Sequence, residues 1–250
     1  LESAVLDLAL RQQETDLETL LDRRCEPVRF VTSMRLGDPP TTDRVDALRE
    51  RVPGIEFKLD PTTAWDDGLV ATLADTDRVR ILDLKGHYEG TDVDSPADPV
   101  LYERVIEGFP DAIIEDPALT DETRSLFEAD AVRSRVSWDE PIESLADVKS
   151  LPWAPDWLNI KPSRFGSLRS LLETLTYCAE HDINCYGGGQ FELGVGRGQL
   201  QLLASLFYPD GPNDIAPGVY NEPAVSDSLP PSPLSPPSTV EGFRWNATRE

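Results

Sequence analysis

An α/β fold of the TIM-type (β/α) barrel is what this sequence predicts, and three observations predict it. From Pro27 onward, short apolar runs alternate with helical patterns. Run after run closes abruptly on a charged residue, as expected when every strand ends around one central mouth. The first run ends in Met34-Arg35-Leu36-Gly37 without the glycine fingerprint that a doubly wound sheet carries at its first turn.

The runs fall at 28–33, 55–60, 80–85, 112–116, 136–140, 158–161 and 183–189. Between them lie helical patterns at 43–52, 99–107, 144–151 and 167–180, the last with Leu168, Leu171, Leu172, Leu175 and Cys178 on one stripe. Strand-then-helix units at a spacing of roughly 25 residues argue for a parallel sheet. An eighth strand is weakly marked and is expected somewhere in 214–221.

The chain opens directly in a helical pattern over 1–21, beginning at Leu1 rather than Met. Residues 1–22 are therefore expected to be a helix linking an N-terminal portion outside this sequence to a barrel at 23–221. From 222 the composition turns to Pro and Ser. Residues 222–250 are expected to form an extended arm that docks on the portion preceding the helix. Asn246-Ala247-Thr248 matches a glycosylation acceptor and is taken as chance.

A length of 250 residues suffices for a barrel-sized core, and no apolar run approaches the roughly 20 residues that span a bilayer. A cytoplasmic location is expected. The formal net charge of -23 disfavours nucleic acid and anionic membranes, which the surface would repel. Cys25, Cys178 and Cys185 show neither C-x-x-C nor metal-ligand spacing and are read as reduced structural thiols. His87 and His181 have no partners at metal or triad spacing, and no G-x-S-x-G or P-loop pattern occurs.

The chemistry is expected at the strand tips. Strands three, four and five close on Asp83, Glu115 and Asp139. Three carboxylates on neighbouring strands repel one another and call for a cation; hard oxygen donors suit Mg²⁺. Lysine occurs only at 58, 85, 149 and 161, and three of these positions are predicted tips, whereas arginine supplies the rest of the 23 basic residues. Lys58 on strand two and Lys161 on strand six should face each other across the mouth. Desolvated beside a metal, such a lysine can have its pKa lowered enough to serve as a general base. Strand seven leads into Gly187-Gly188-Gly189-Gln190-Phe191-Glu192, whose bare backbone N–H groups can hold a carboxylate or phosphate.

Taken in order, these residues resemble the barrel domain of the enolase superfamily. The likeness is to its mandelate racemase/muconate-lactonizing branch, which includes o-succinylbenzoate synthases and N-acylamino acid racemases. The resemblance runs from A-V-L-D-L-A-L-R-Q at 4–12 to about Pro217, and includes L-N-I-K-P-S-R-F-G-S around Lys161 and G-G-G-Q-F-E-L-G-V-G-R at 187–197. It implies a modified barrel whose N-terminal α+β cap lies outside this chain. It also implies Mg²⁺ ligands at Asp83, Glu115 and Asp139, catalytic lysines at Lys161 and at Lys58 or Lys85, and a substrate bordered by Asp60, Gly188, Gln190 and Glu192. Two positions depart from the family pattern. Asp60 stands where the second lysine of K-x-K is usual, and Lys85 stands where an asparagine is usual.

The function expected is a Mg²⁺-dependent lyase or isomerase that abstracts the proton α to a carboxylate and stabilises an enediolate. The expected partner is a small-molecule carboxylate substrate, with no nucleic acid and no membrane, and the protein is expected to be a homo-oligomer. A catalytically silent metal- and acid-binding member is the alternative, supported by Asp60. A Schiff-base aldolase using Lys161 is a third reading, but it leaves the three carboxylates without a purpose.

Overall fold

The computed structural model describes residues 1–88, 90–91, 95–238 and 240–245. The acceptor-like Asn246-Ala247-Thr248 lies outside them. Seven strands form one parallel sheet in sequence order: β1 (Val31–Met34), β2 (Glu56–Leu59), β3 (Val79–Asp83), β4 (Ile113–Glu115), β5 (Val136–Trp138), β6 (Trp157–Ile160) and β7 (Asn184–Gly187). Because spatial order equals chain order, no strand reversal creates the switch point of a doubly wound sheet.

Each predicted run overlaps its strand, with β1, β3 and β6 each extending one residue beyond the run, and each predicted helix forms. After α1 (Glu2–Gln12) and α2 (Leu17–Leu21), the crossovers are α3 (Asp43–Arg51), α4 (Asp67–Ala74), α5 (Pro99–Gly108), α6 (Asp130–Arg133), α7 (Leu145–Ser150) and α8 (Leu168–Glu180), and α9 (Val195–Phe207) follows β7. Local chemistry sets several starts. Asp66, Asp98 and Ser167 accept the N–H groups of Leu69, Leu101 and Ser170, and Pro99 occupies the first turn of α5, where no backbone donor is needed.

The opening helix differs from expectation. It breaks after α1, Glu14 takes a left-handed φ of 52°, and Asp16 caps a second short helix by accepting the N–H of Thr19.

No strand forms over 214–221; Gly218–Asn221 is a 3-10 turn, and Pro212 and Pro217 withhold the donors a strand would need. Instead Asn213 and Asp214 touch both edges of the sheet. Val31 donates its N–H to Asn213 O at 2.9 Å, Asp214 donates to Gly187 O at 2.7 Å, and the Asn213 side chain accepts from Gly187 N–H at 2.6 Å.

The Pro/Ser segment also departs from expectation, because it docks on the elements of this chain. Val28 and Leu234 exchange backbone bonds at 2.9 and 2.7 Å. Further on, Phe243 N–H and the Arg244 guanidinium both reach the buried carboxylate of Asp7 on α1.

Two layers of core result from the two-residue period of a strand. Residues facing the helices, such as Phe57, Leu82, Ile114, Val136 and Leu158, join Val45, Leu48, Val105, Leu171 and Leu175. Inward-facing Val31, Ile81, Ile113 and Tyr186 form a second cluster with Trp157. The next inward positions along β3 and β4 are Asp83 and Glu115, paired in register. The apolar plug thus lies directly beneath the charged tips.

Candidate active site

Asp83, Glu115 and Asp139 come together as a row of carboxylates, each at most 1% exposed. Their charges are met by side chains from neighbouring strands. Lys58 sends its Nζ between Asp83 Oδ2 (2.9 Å) and Glu115 Oε1 (2.6 Å), with Asp214 Oδ2 at 3.4 Å. Lys85 pairs with Asp83 and lies 3.7 Å from Asp60 Oδ1. Lys161 Nζ reaches Asp139 Oδ2 at 2.6 Å. Lys58 and Lys161 therefore attend different parts of the row, Lys58 at Asp83 and Glu115 and Lys161 at Asp139.

Further donors hold the row in place. Glu115 accepts from Tyr186 OH at 2.6 Å and from Asn159 Nδ2 at 3.1 Å, and Tyr186 OH also lies 2.9 Å from Ser137 Oγ. Asp139 accepts from Tyr88 OH at 2.9 Å and from Arg164 Nη1 at 3.0 Å, and the same Arg164 nitrogen donates to the Asp139 backbone carbonyl at 2.6 Å. Gly188 matters through its missing side chain: a Cβ there would stand 2.4 Å from Asn159 Oδ1 and 3.0 Å from Lys161 Cε. Its backbone can approach the site only because it is glycine.

The electrostatics of the metal-free site follow from these contacts. Burial alone would lower the pKa of Lys58, but the charges of Asp83 and Glu115 outweigh it and hold the ammonium well above its ordinary value. Burial likewise works to lower Lys85, and Asp83 more than reverses it. Neither has the depressed pKa of a ready base in this arrangement, because each has a carboxylate in direct contact. Burial would raise Asp83 and Asp139, but Lys58 and Lys85 hold Asp83 low and Lys161 leads in holding Asp139 low. Glu115 is different: burial and the nearby Asp83 charge push it up to about 7. Burial followed by the Asp83 charge also raises Asp60.

The donor set fits a hard divalent cation, being three buried carboxylates from adjacent strands with no sulfur or imidazole among them. The buried Asn159 Oδ1 beside them makes no hydrogen bond. With the lysines inserted as described, no group of three acidic, Cys or His side chains among the described residues is spaced as a metal shell.

The remaining predicted positions separate. Gln190 is exposed, and Glu192 turns its carboxylate back to accept the Gln190 N–H. Glu192 also lines a groove of about 340 Å³ with residues of α1, α8 and α9. His87 follows β3 with its ring 5.9 Å from Trp138, and His181 stacks on Tyr177 at 3.8 Å at the end of α8. The three cysteines are free.

Sequence reasoning missed Tyr88, Arg164, Asp116, Asn159, Tyr186 and Asp214. Arg164 and Tyr88 had a signal, since each lies within a turn of a predicted tip residue. Tyr186 and Asn159 could have been found by counting two residues along each strand to the same face.

A seven-stranded parallel sheet in chain order, with acidic tips on three successive strands and lysines on their neighbours, is an α/β fold that this chain shares with enolase-superfamily structures. The chain belongs to the family described as "Domain of unknown function (DUF8230) C-terminal domain", matched over residues 24–222. The chain is 29% identical over 251 aligned residues to an N-succinylamino acid racemase from Amycolatopsis, covering 97% of this chain and 64% of that protein. It thus spans less than two thirds of that relative's length. An enolase-superfamily member from Listeria innocua superposes with a TM-score of 0.68 at 24% identity, over 85% of this chain and 57% of its own. A dipeptide epimerase from Methylococcus capsulatus, complexed with a Mg ion, superposes with a TM-score of 0.60 at 21% identity, over 81% and 58%. No helix among the described residues is long and apolar enough to cross a membrane.

Proposed function

We propose that this chain is the barrel part of a Mg²⁺-dependent lyase or isomerase that abstracts the proton α to a carboxylate and stabilises the resulting enediolate. The observation that carries this reading is the buried row Asp83, Glu115 and Asp139 on three successive strand tips, bracketed by lysines. Mg²⁺ held by these three would neutralise the negative charge that develops on the substrate carboxylate.

The chain's own residues supply the rest. Lys161 is the proton-transfer group, because it is only partly buried and stands at the mouth beside Gly188. Lys85, also partly exposed, takes the other side of the substrate together with Asp60, and Lys58 serves beneath them as a fixed counter-charge to Asp83 and Glu115. Arg164 and Tyr88 hold Asp139. Gly188, Gln190 and Glu192 border the substrate, the last two after the loop has turned inward. The similarity to an N-succinylamino acid racemase supports a small carboxylate as substrate, and a cytoplasmic homo-oligomer is part of the proposal.

The test is exchange of substrate α-protons with deuterated solvent across a panel of carboxylates, using the full-length protein with and without Mg²⁺. Exchange that needs Mg²⁺ and drops by about 10²–10⁴-fold in Lys161→Ala supports the assignment. Full exchange in that variant removes Lys161 from the role, and no exchange on any member of the panel counts against the reaction class. A second reading, a catalytically silent member that binds metal and acid, draws on Asp60, which stands where the family pattern has its second lysine. Calorimetric binding of Mg²⁺ and a carboxylate without turnover distinguishes it.

A further inference from the structure

Asp116 is a buried acid that the proposed chemistry does not use. It follows Glu115 at the end of β4, is 0% exposed, and has a left-handed φ of 46°, a conformation that is costly for a residue with a side chain. Burial and the charges of Asp139 and Glu115 act against its ionised form. Among the described residues no cation bonds to it. A carboxylate kept under those conditions calls for a reason.

Its bonds supply one. Oδ1 accepts the N–H of Asp139 at 2.7 Å and Oδ2 accepts the N–H of Glu140 at 2.8 Å. Its own N–H goes to Ser137 O, and its carbonyl accepts the N–H of Gly86, both at 2.9 Å. Asp116 therefore ties the exits of β3, β4 and β5 together. These N–H groups are not a helix start, since α7 begins only at Leu145. On the other side of the same residue, Arg164 takes the Asp139 carbonyl. The Asp139 backbone is gripped at its N–H by the residue that follows β4 and at its C=O by Arg164 in the 3-10 turn after β6.

We propose that Asp116 is a positioning residue for Asp139: by fixing the backbone at the exit of β5, it sets the direction in which Asp139 presents its carboxylate toward Asp83 and Glu115. This inference rests on the reading of that row as a cation site. The left-handed backbone turns the Asp116 side chain away from the mouth and toward the neighbouring strand, so the residue shapes the site without occupying it.

The experiment is calorimetric titration of Mg²⁺ into the full-length wild-type protein, Asp116→Asn, Asp116→Gly and the control Asp7→Asn. Asparagine tolerates the backbone but can accept only one of the two N–H groups. Glycine removes both acceptors and takes the left-handed conformation without strain, so it decides the matter if the asparagine variant does not fold. Asp7 is another buried carboxylate that accepts a backbone N–H, from Phe243 at 3.0 Å, but it sits on α1. Weakening of Mg²⁺ binding by about 10–100-fold in the position-116 variants, with affinity unchanged in the control, is the expected result. Wild-type affinity in a folded position-116 variant overturns the inference alone. No Mg²⁺ binding by the wild-type protein overturns it together with the cation-site reading on which it rests.

Discussion

Lys58 and Glu115 meet at 2.6 Å with both side chains sealed from solvent, and the same ammonium lies 2.9 Å from Asp83. Removing one partner of a buried pair leaves the others as unpaired charges, which costs more than the pair itself contributes. Lys58→Met should therefore destabilise the protein by about 3–5 kcal/mol in urea unfolding. Added Mg²⁺ should restore part of that loss, because a ligand of the folded state stabilises it by mass action. A variant as stable as wild type without metal would mean that the acids had lost their charge.

Glu115 makes the stability of the metal-free protein depend on pH. Burial and the Asp83 charge push its carboxyl up to about 7 from the ordinary 4.5. Within that window the folded state holds a proton that the unfolded chain has released, so stability falls as pH rises. Asp60 and Asp116, also raised, act in the same direction, while His87, lowered by burial, acts against it. The melting temperature should drop between about pH 5 and about pH 7.5, and Glu115→Gln should flatten the slope. A melting temperature that climbs steadily over this range would contradict the assignment.

Two glycines should respond oppositely to alanine. At Gly86 a Cβ would lie 2.2 Å from the backbone nitrogen of Ala118, whereas at Gly54 nothing lies within 4 Å. Gly86→Ala should cost about 1–3 kcal/mol through forced backbone shifts. Gly54→Ala should be neutral or gain up to about 1 kcal/mol by restricting the unfolded chain. Thermal unfolding of the two variants side by side measures the contrast.

The sequence by itself determined the elements and the acidic row. Strands alternate with helices because apolar periodicity and caps such as Asp98-Pro99 are local properties, and Asp83, Glu115 and Asp139 share a face because side chains alternate along a strand. Lys161 was legible for the same reason. What only the tertiary structure decided is which charge meets which. Lys58 was expected at the mouth opposite Lys161, and the structure shows it enclosed by Asp83, Glu115 and Asp214. Asp214 belongs to the segment that touches both sheet edges, a role that Asn213 fills with single bonds to β1 and β7 rather than with a strand pattern. Arg164, Tyr88 and Tyr186 join the row from separate parts of the chain, and Asp116 looks like one more acid in an acidic sequence until its bonds to Asp139 and Glu140 are seen. Periodicity reports which face a residue is on; the pKa of a buried charge depends on neighbours within a few ångströms, and those are fixed only when distant segments pack together.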